Sequence, residues 1–155
     1  MCNGRIMIAG TNSGCGKTTV VCGLLKCLLN RKMNIHAFKC GPDYIDTSFH
    51  KKVLKIPTGN LDSWFCKPED LRKIVSKKAD KCDIAVIEGV MGYYDGMGFT
   101  QRASAYEIAD ITSTPVILII NCKGMSSSLE AVLSGFVNMK QNSHIKGCLL
   151  YTSPS

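Results

Sequence analysis

The sequence contains no apolar run long enough to cross a membrane and no pattern typical of a secretory leader. A transmembrane helix needs about 18 or more consecutive apolar residues, and no such run occurs among the 155 residues. Residues 1–10 lack a long apolar segment followed by small residues at a cleavage site. These absences argue against a membrane-spanning or exported protein, and we expect a cytoplasmic one.

The sequence also lacks the cysteine spacing of common metal and redox motifs. None of its nine cysteines forms a C-x-x-C pair, which argues against a zinc ribbon or a thioredoxin-type site. Most lie inside apolar segments, as buried free thiols in a reducing compartment do. We therefore expect the cysteines to be structural.

Clusters of basic residues like those of nucleic-acid-binding arms are missing as well. The net charge is nevertheless +7, which favours anionic partners. Because the charge is dispersed, we expect a polyanionic small substrate and a nucleotide, and neither nucleic acid nor a membrane surface as partner. A homodimer is compatible with the sequence.

Apolar segments alternate with segments of helical periodicity along the whole chain. The predicted strands are 5–10, 35–40, 83–89, 115–121 and 145–150. The predicted helices are 17–31, 68–78, 103–111 and 127–140. Strands that lack polar alternation are typical of a parallel sheet covered on both faces. The pattern predicts one α/β domain over residues 1–150, with a short tail at 151–155 and ligands at the carboxyl ends of the strands.

The strongest local pattern is the glycine-rich segment GTNSGCGKTT at residues 10–19, between the first strand and the first helix. In a P-loop, backbone N–H groups and the helix N-terminus bind phosphate oxygens. Lys17 would reach the terminal phosphates and the Thr18 hydroxyl would bind Mg²⁺. The predicted nucleotide-binding residues are Thr11, Asn12, Ser13, Gly14, Cys15, Gly16, Lys17, Thr18 and Thr19. The segment predicts a three-layer P-loop NTPase-type fold, although Thr11 stands where the simple motif has glycine.

Acidic residues follow two of the predicted strands. The segment KCGPDYIDTSFH spans residues 39–50, and EGVMGYYDG spans residues 88–96. Mg²⁺ prefers oxygen ligands, commonly one or two carboxylates with phosphates and water. We predict that Asp43 and Glu88 supply such ligands together with Thr18, from strands expected to lie beside the P-loop strand. An isolated aspartate in a turn usually caps the local backbone, but acids clustered at two strand ends favour a functional site.

Three segments together resemble one enzyme family, the cobyrinic acid a,c-diamide synthases. Residues 39–50 are similar to its KxGPDYIDPxxH signature, residues 60–64 (NLDSW) to its NLDxW segment, and residues 88–96 to its EGVMGLFDG segment. The resemblance covers about residues 4–149, in the order of the family. Thr47 stands where the family has proline, and residues 151–155 do not resemble it.

The resemblance implies an amidoligase domain that uses ATP and Mg²⁺ to activate carboxylates of cobyrinic acid as acyl phosphates. It implies catalytic roles for Lys17, Tyr44, Asp46 and Asp95, with Tyr44, Ile45, Asp46 and Asp95 near the corrinoid. Family members carry a C-terminal glutaminase domain that supplies ammonia. We expect this chain to be a fragment without that domain, since no cysteine–histidine pair has a good claim to glutamine hydrolysis.

Three alternatives remain at the level of sequence. A close relative that amidates nickel sirohydrochlorin instead of a corrinoid has similar motifs. Dethiobiotin synthetase shares the fold and carboxylate activation, but its motifs differ from GPDYID and EGVMG. A partitioning or regulatory ATPase of the deviant P-loop group would carry a signature lysine where this chain has Asn12.

Overall fold

A computed structural model of the chain describes residues 4–98 and 100–152, without the side chains of Tyr44, Asp46 and Phe49. Strands and helices alternate along this part of the chain. The strands are β1 (Gly4–Gly10), β2 (Ile35–Cys40), β3 (Thr58–Leu61), β4 (Ile84–Glu88), β5 (Val116–Asn121) and β6 (Ile145–Tyr151). The helices are α1 (Lys17–Asn30), α2 (Tyr44–Lys52), α3 (Pro68–Ala79), α4 (Ala105–Thr112) and α5 (Ser128–Asn138).

The strands form one six-stranded sheet in the order β3-β2-β4-β1-β5-β6. Every neighbouring pair is parallel, which confirms the predicted α/β class. The expectation that β2 lies beside the P-loop strand β1 was wrong, because β4 lies between them. The sheet therefore places the carboxyl end of β4 at the centre of the candidate site.

Two elements, α2 and β3, were not predicted from the sequence. Helix α2 reads YIDTSFHKK, in which no continuous apolar face marks a helix. Strand β3 reads TGNL, a short segment with glycine and asparagine, residue types depleted in strands. The TGNL segment forms a strand because it pairs with β2 over Ala37–Cys40, although its own residues have little strand propensity.

Alternating side chains of the strands supply two cores, one on each face of the sheet. On one face, Met7 and Ala9 pack in a core that includes residues of α3 and α4. On the other face, Ile8 packs in a core that includes Val21 and Leu25 of α1. Both faces of the central strands are thus covered, which explains why their sequences show no polar alternation.

Strand β2 carries a buried histidine close to its N-terminal end. His36 is 9% exposed, and its ring centroid lies 4.6 Å from that of Phe38. Burial lowers the pKa of His36 below its usual value, and the nearby Lys78 ammonium lowers it further. Folding therefore favours the neutral form of this imidazole.

The last strand extends one residue beyond the predicted domain end at residue 150. Tyr151 pairs with Asn121 of β5, and the Cys122 N–H donates to the Tyr151 carbonyl over 2.7 Å. Residues 153–155 of the predicted tail lie outside the described residues. Among the described helices, none has the length and apolar character of a membrane span.

Candidate active site

The glycine-rich loop between β1 and α1 is shaped by close backbone approaches. A Cβ at Gly10 would overlap the Cys15 sulfur, so glycine is required there. Gly14 and Gly16 adopt positive φ angles of 74° and 82°, which favour glycine. Cys15 is only 1% exposed, so its side chain packs inside the loop. The resulting cavity, of about 280 Å³, is lined by Gly14, Gly16, Lys17, Thr18 and Thr19.

The start of α1 presents positive charge and backbone N–H groups to this cavity. The N-cap is Gly16, which has no side chain to cap the helix, and the fully described first turn carries no acidic residue. The first backbone N–H groups of a helix lack partners within it and attract anions. The Lys17 ammonium donates to the Asn12 carbonyl over 2.9 Å, so it lies across the loop. This arrangement can bind the phosphates of a nucleotide.

A buried carboxylate, Glu88, lies beside the loop at the end of β4. Sheet register places Glu88 next to Ile8 of β1 on one side and Lys39 of β2 on the other. Its Oε1 accepts from the Thr18 hydroxyl over 2.5 Å and from the Lys39 ammonium over 2.8 Å. Glu88 is 0% exposed and Lys39 is 4% exposed, so both charges are buried. A buried carboxylate of this kind is stabilised only by its partners.

The second oxygen of Glu88 has no hydrogen-bond partner among the described residues and is buried. Buried polar atoms are almost always paired, so an orphan oxygen beside a phosphate-binding loop fits a cation ligand. Asp43 lies close by, since its Oδ2 is 3.7 Å from the Lys39 ammonium. In the described part of the chain, no group of three or more acidic, histidine or cysteine side chains could hold a metal by itself. The residues present therefore suit Mg²⁺ that also takes phosphate and water oxygens.

Asn60 of β3 fixes the segment that carries Asp43. Its side-chain amide donates to the carbonyls of Gly41 and Asp43, each over 2.9 Å. The Asp43 side chain in turn accepts from the Ile45 N–H over 3.1 Å and so caps the start of α2. Asp43 therefore combines the local capping role with a position at the buried charge cluster.

The loop after β4 folds back onto the P-loop. The Tyr93 N–H donates to the Gly10 carbonyl over 2.8 Å, and a Cβ at Gly92 would crowd the Thr11 carbonyl. Asp95 is exposed, and its Oδ2 accepts from the Gly92 N–H over 3.0 Å. The structure thus gives the predicted catalytic Asp95 a turn-forming contact next to the nucleotide loop.

Three tyrosines, two of them in this loop, pack against one another. The rings of Tyr93 and Tyr94 lie 4.7 Å apart, and Tyr106 contacts both. The Tyr93 hydroxyl donates to the Ser143 carbonyl over 2.6 Å, and that of Tyr94 donates to the Phe136 carbonyl over 2.7 Å. Burial raises the pKa of Tyr93, and it raises that of Tyr94 to about 12. Both phenols stay protonated and serve as fixed donors.

The structure brings together most of the predicted site residues but describes two of them only in part. The P-loop residues, Asp43, Glu88 and Asp95 meet at one edge of the sheet. Tyr44 and Asp46 lie in α2, and their side chains are outside the described part, so their predicted roles stay predictions. Sequence reasoning missed Lys39 and Asn60. The available signals were a lysine in the buried strand IHAFKC and an asparagine in the NLDSW segment that resembles the family.

A cysteine and a histidine side chain lie in contact between α1 and α2. The Cys22 sulfur lies 3.6 Å from Nε2 of His50. His50 is 1% exposed, so a substrate has no direct access to its ring. Beside the site, burial raises the pKa of the Cys40 thiol to about 12, which keeps it protonated.

The sequence matches the family model described as the CobQ/CobB/MinD/ParA nucleotide binding domain over residues 6–152. It is 40% identical over 150 residues to the cobyrinate a,c-diamide synthase of Priestia megaterium, covering 96% of this chain and 33% of that protein. It is 43% identical over 148 residues to the enzyme of that name from Limosilactobacillus reuteri, covering 94% of this chain and 32% of that protein. The chain thus spans about a third of the length of these relatives.

Among solved structures, the BceF tyrosine kinase domain superposes with a TM-score of 0.69 at 13% identity, covering 97% of this chain and 69% of that one. That likeness concerns the fold alone and confirms the P-loop NTPase type. The family match over residues 6–152 shows that the chain belongs to the CobQ/CobB/MinD/ParA nucleotide-binding family.

Proposed function

We propose that this chain binds ATP with Mg²⁺ and activates the a- and c-carboxylates of cobyrinic acid for amidation in cobalamin biosynthesis. The observation that carries the proposal is the buried Glu88 carboxylate beside the P-loop: one oxygen accepts from Thr18 and Lys39, and the other has no hydrogen-bond partner among the residues that the structure describes. The name that these relatives carry, cobyrinate a,c-diamide synthase, indicates the substrate.

The reaction overcomes the poor leaving group of a carboxylate. A carboxylate oxygen of the substrate attacks the γ-phosphorus of ATP, the bond to the bridging oxygen breaks, and ADP leaves. The product is an acyl phosphate. Ammonia then attacks the acyl carbon, phosphate leaves with the original carboxylate oxygen, and the nitrogen loses a proton to give the amide. The first step depends mainly on positioning and charge neutralisation.

Different residues of the chain would bind the phosphates and the Mg²⁺ ion. The loop N–H groups and Lys17 bind the phosphates, and Lys17 leaves the Asn12 carbonyl to do so. Thr18, Glu88 and Asp43 would hold Mg²⁺. When bound, Mg²⁺ neutralises phosphate charge as it develops during transfer. These ligands come from the P-loop and two strand ends, so one cation would tie the three segments together.

Lys39 acts as a positioning residue in this scheme. Its ammonium donates to Glu88 Oε1 and faces Asp43, so it fixes both carboxylates and offsets the cost of burying Glu88. We place Tyr44, Asp46 and Asp95 at the reaction centre, as the family resemblance implies. For Asp95 alone, the assignment is supported by its hydrogen bond with the Gly92 N–H, since Gly92 lies against the Thr11 carbonyl.

We propose that the ammonia comes from glutamine hydrolysed by a part of the enzyme other than this chain. A glutaminase of the expected class needs a reactive thiolate with a histidine base. The Cys22–His50 contact does not meet that requirement, since His50 is 1% exposed. The chain would therefore use added ammonia. A cytoplasmic setting suits cysteines that form no disulfide with one another in the described part of the chain.

Incubation of the chain with ATP, Mg²⁺, cobyrinic acid and ammonium chloride tests the proposal. We expect ADP formation that requires the corrinoid, and mass spectrometry should detect mono- and diamide products. Nickel sirohydrochlorin in place of cobyrinic acid tests the related substrate. Amidation of that macrocycle alone would reassign the substrate, and nucleotide-dependent dimerisation without any amide would favour a regulatory ATPase.

A further inference from the structure

An apolar cleft lies next to the acidic cluster, and we call it the Trp64 cleft. Its volume is about 320 Å³. It is lined mainly by apolar and aromatic side chains: Gly41, Pro42, Asp62, Trp64, Phe65, Val90, Met91, Met97 and Ala103. Small-molecule sites have this character, and the volume is at the low end of their range of roughly 300–1,000 Å³. The cleft can therefore hold one face or edge of a large ligand.

Several large apolar side chains of the cleft are left exposed. Trp64 is 44% exposed and Phe65 is 79% exposed, while Met91 and Met97 are 39% and 47% exposed. A single exposed apolar residue needs no explanation, but a cluster in a concave surface marks a binding site. Aromatic rings offer flat surfaces, and methionine side chains adapt to irregular shapes.

The cleft is continuous with the catalytic edge of the sheet. Pro42 in its wall directly precedes Asp43, and Val90 follows Glu88 by two residues. A Cβ placed on Gly41 would lie 4.0 Å from Val90, so the loops after β2 and β4 face each other there. A ligand in the cleft would have its periphery beside the carboxylates that we assign to Mg²⁺.

A cation lies at the rim of the cleft. The Arg102 guanidinium carbon is 4.6 Å from the centre of the Trp64 ring, within the range of a cation–π contact. Glu107 ties the two walls together, since its Oε2 accepts from the Ser63 hydroxyl over 2.5 Å and from the Ala103 N–H over 2.7 Å. Arg102 thus stands at a fixed rim, where a guanidinium can bind a carboxylate through two hydrogen bonds.

We propose that the Trp64 cleft binds the apolar face of a tetrapyrrole-derived macrocycle, while Arg102 binds one of its peripheral carboxylates. Apolar rings bordered by carboxylates match an apolar cleft with a cation at its rim. Seated there, the macrocycle presents a neighbouring carboxylate to the phosphate site. The inference rests on the proposed function, and it makes Trp64 and Arg102 binding and specificity residues rather than catalytic ones.

Trp64 is the single tryptophan of the chain, so its fluorescence reports on the cleft directly. We expect cobyrinic acid to quench this fluorescence saturably and a corrinoid with all carboxylates amidated to bind more weakly. In equilibrium dialysis, Trp64→Ala and Arg102→Gln should each raise the Kd for cobyrinic acid by roughly tenfold or more, as loss of one good contact does. The matched control is Arg31→Gln, which removes an exposed arginine at the C-cap of α1 and should leave that Kd unchanged.

ATP binding measured on the same variants distinguishes the two levels of the argument. We expect unchanged ATP affinity in Trp64→Ala and Arg102→Gln, with unchanged circular dichroism. Unaltered corrinoid affinity in both variants would contradict the assignment of the Trp64 cleft as the macrocycle site, but it would not contradict the proposed function. A wild-type chain that binds ATP but no corrinoid would contradict both. Self-association lost in Trp64→Ala without any change in corrinoid binding would assign the cleft to a contact between two copies and overturn the inference.

Discussion

The Glu88–Lys39 pair gives the sharpest quantitative test of the site. The Lys39 ammonium and Glu88 Oε1 lie 2.8 Å apart, and both side chains are nearly inaccessible. At an effective dielectric constant of about 20, charges at this distance attract by about 6 kcal/mol. Burial costs several kcal/mol for each ion, so the pair's net contribution is smaller. We expect a coupling energy of about 2–3 kcal/mol in the free energy of unfolding.

The perturbations are Lys39→Met, Glu88→Gln and the two combined. Lys39→Met should destabilise the fold by about 3–5 kcal/mol, because it leaves a buried carboxylate without its cation. Glu88→Gln should cost less, about 2 kcal/mol, because Asp43 still faces the Lys39 ammonium at 3.7 Å. The double variant should be more stable than the sum of the single losses predicts, since it buries neither charge.

Urea unfolding followed by circular dichroism measures these differences, and a magnesium titration adds the functional arm. In Glu88→Gln, we expect the Mg²⁺ concentration for half-maximal amidation to rise markedly, while ATP binding without metal changes less. Single-variant losses that add to within about 0.5 kcal/mol would refute the coupled pair. An unchanged magnesium midpoint would assign Glu88 to a structural role.

The remaining predictions address other parts of the site. Lys17→Ala should abolish ATP-dependent amidation and preserve the circular dichroism spectrum, because Lys17 meets the phosphates; near-full activity would contradict this. Asn60→Leu should raise the Mg²⁺ concentration needed for half-maximal amidation, because the segment that carries Asp43 loses two hydrogen bonds. An unchanged Mg²⁺ midpoint would show that Asn60 does not position Asp43. Burial lowers the pKa of His36, so the unfolded chain takes up a proton more readily than the folded protein does. The free energy of unfolding should therefore decrease as the pH is lowered below about 6.5, and it should decrease more steeply than in His36→Asn. Parallel pH profiles of the two proteins in urea unfolding would contradict this prediction. Glutamate release from glutamine should be negligible, and release that Cys22→Ser abolishes would show a glutaminase site here.

The sequence predicted the parts of the fold where local pattern and tertiary structure agree. Strand β5, with the residues VILIIN, is buried along most of its length, and its continuous apolar run identified it from the sequence. Strand β3 could not be predicted in this way, because TGNL becomes a strand only through its pairing with β2. Strand order is a property of the whole sheet, so the position of β4 between β1 and β2 could not be read from any one segment.

The candidate site was predictable where its chemistry is carried by short motifs. The P-loop and the acids Asp43 and Glu88 were identified from residue type and position after strands. Lys39 was overlooked because a lysine in a strand has no fixed meaning until the register places it beside Glu88. The Trp64 cleft combines loops from three separate segments, and only the folded chain brings them together.

The most direct test of the central claim follows oxygen from the substrate into phosphate. Cobyrinic acid labelled with ¹⁸O in its carboxylates is amidated by the chain with ATP, Mg²⁺ and ammonium, and the released phosphate is analysed by mass spectrometry. An acyl phosphate route predicts one ¹⁸O atom in the phosphate for each amide formed. Amide formation accompanied by unlabelled phosphate would contradict phosphoryl transfer to the carboxylate.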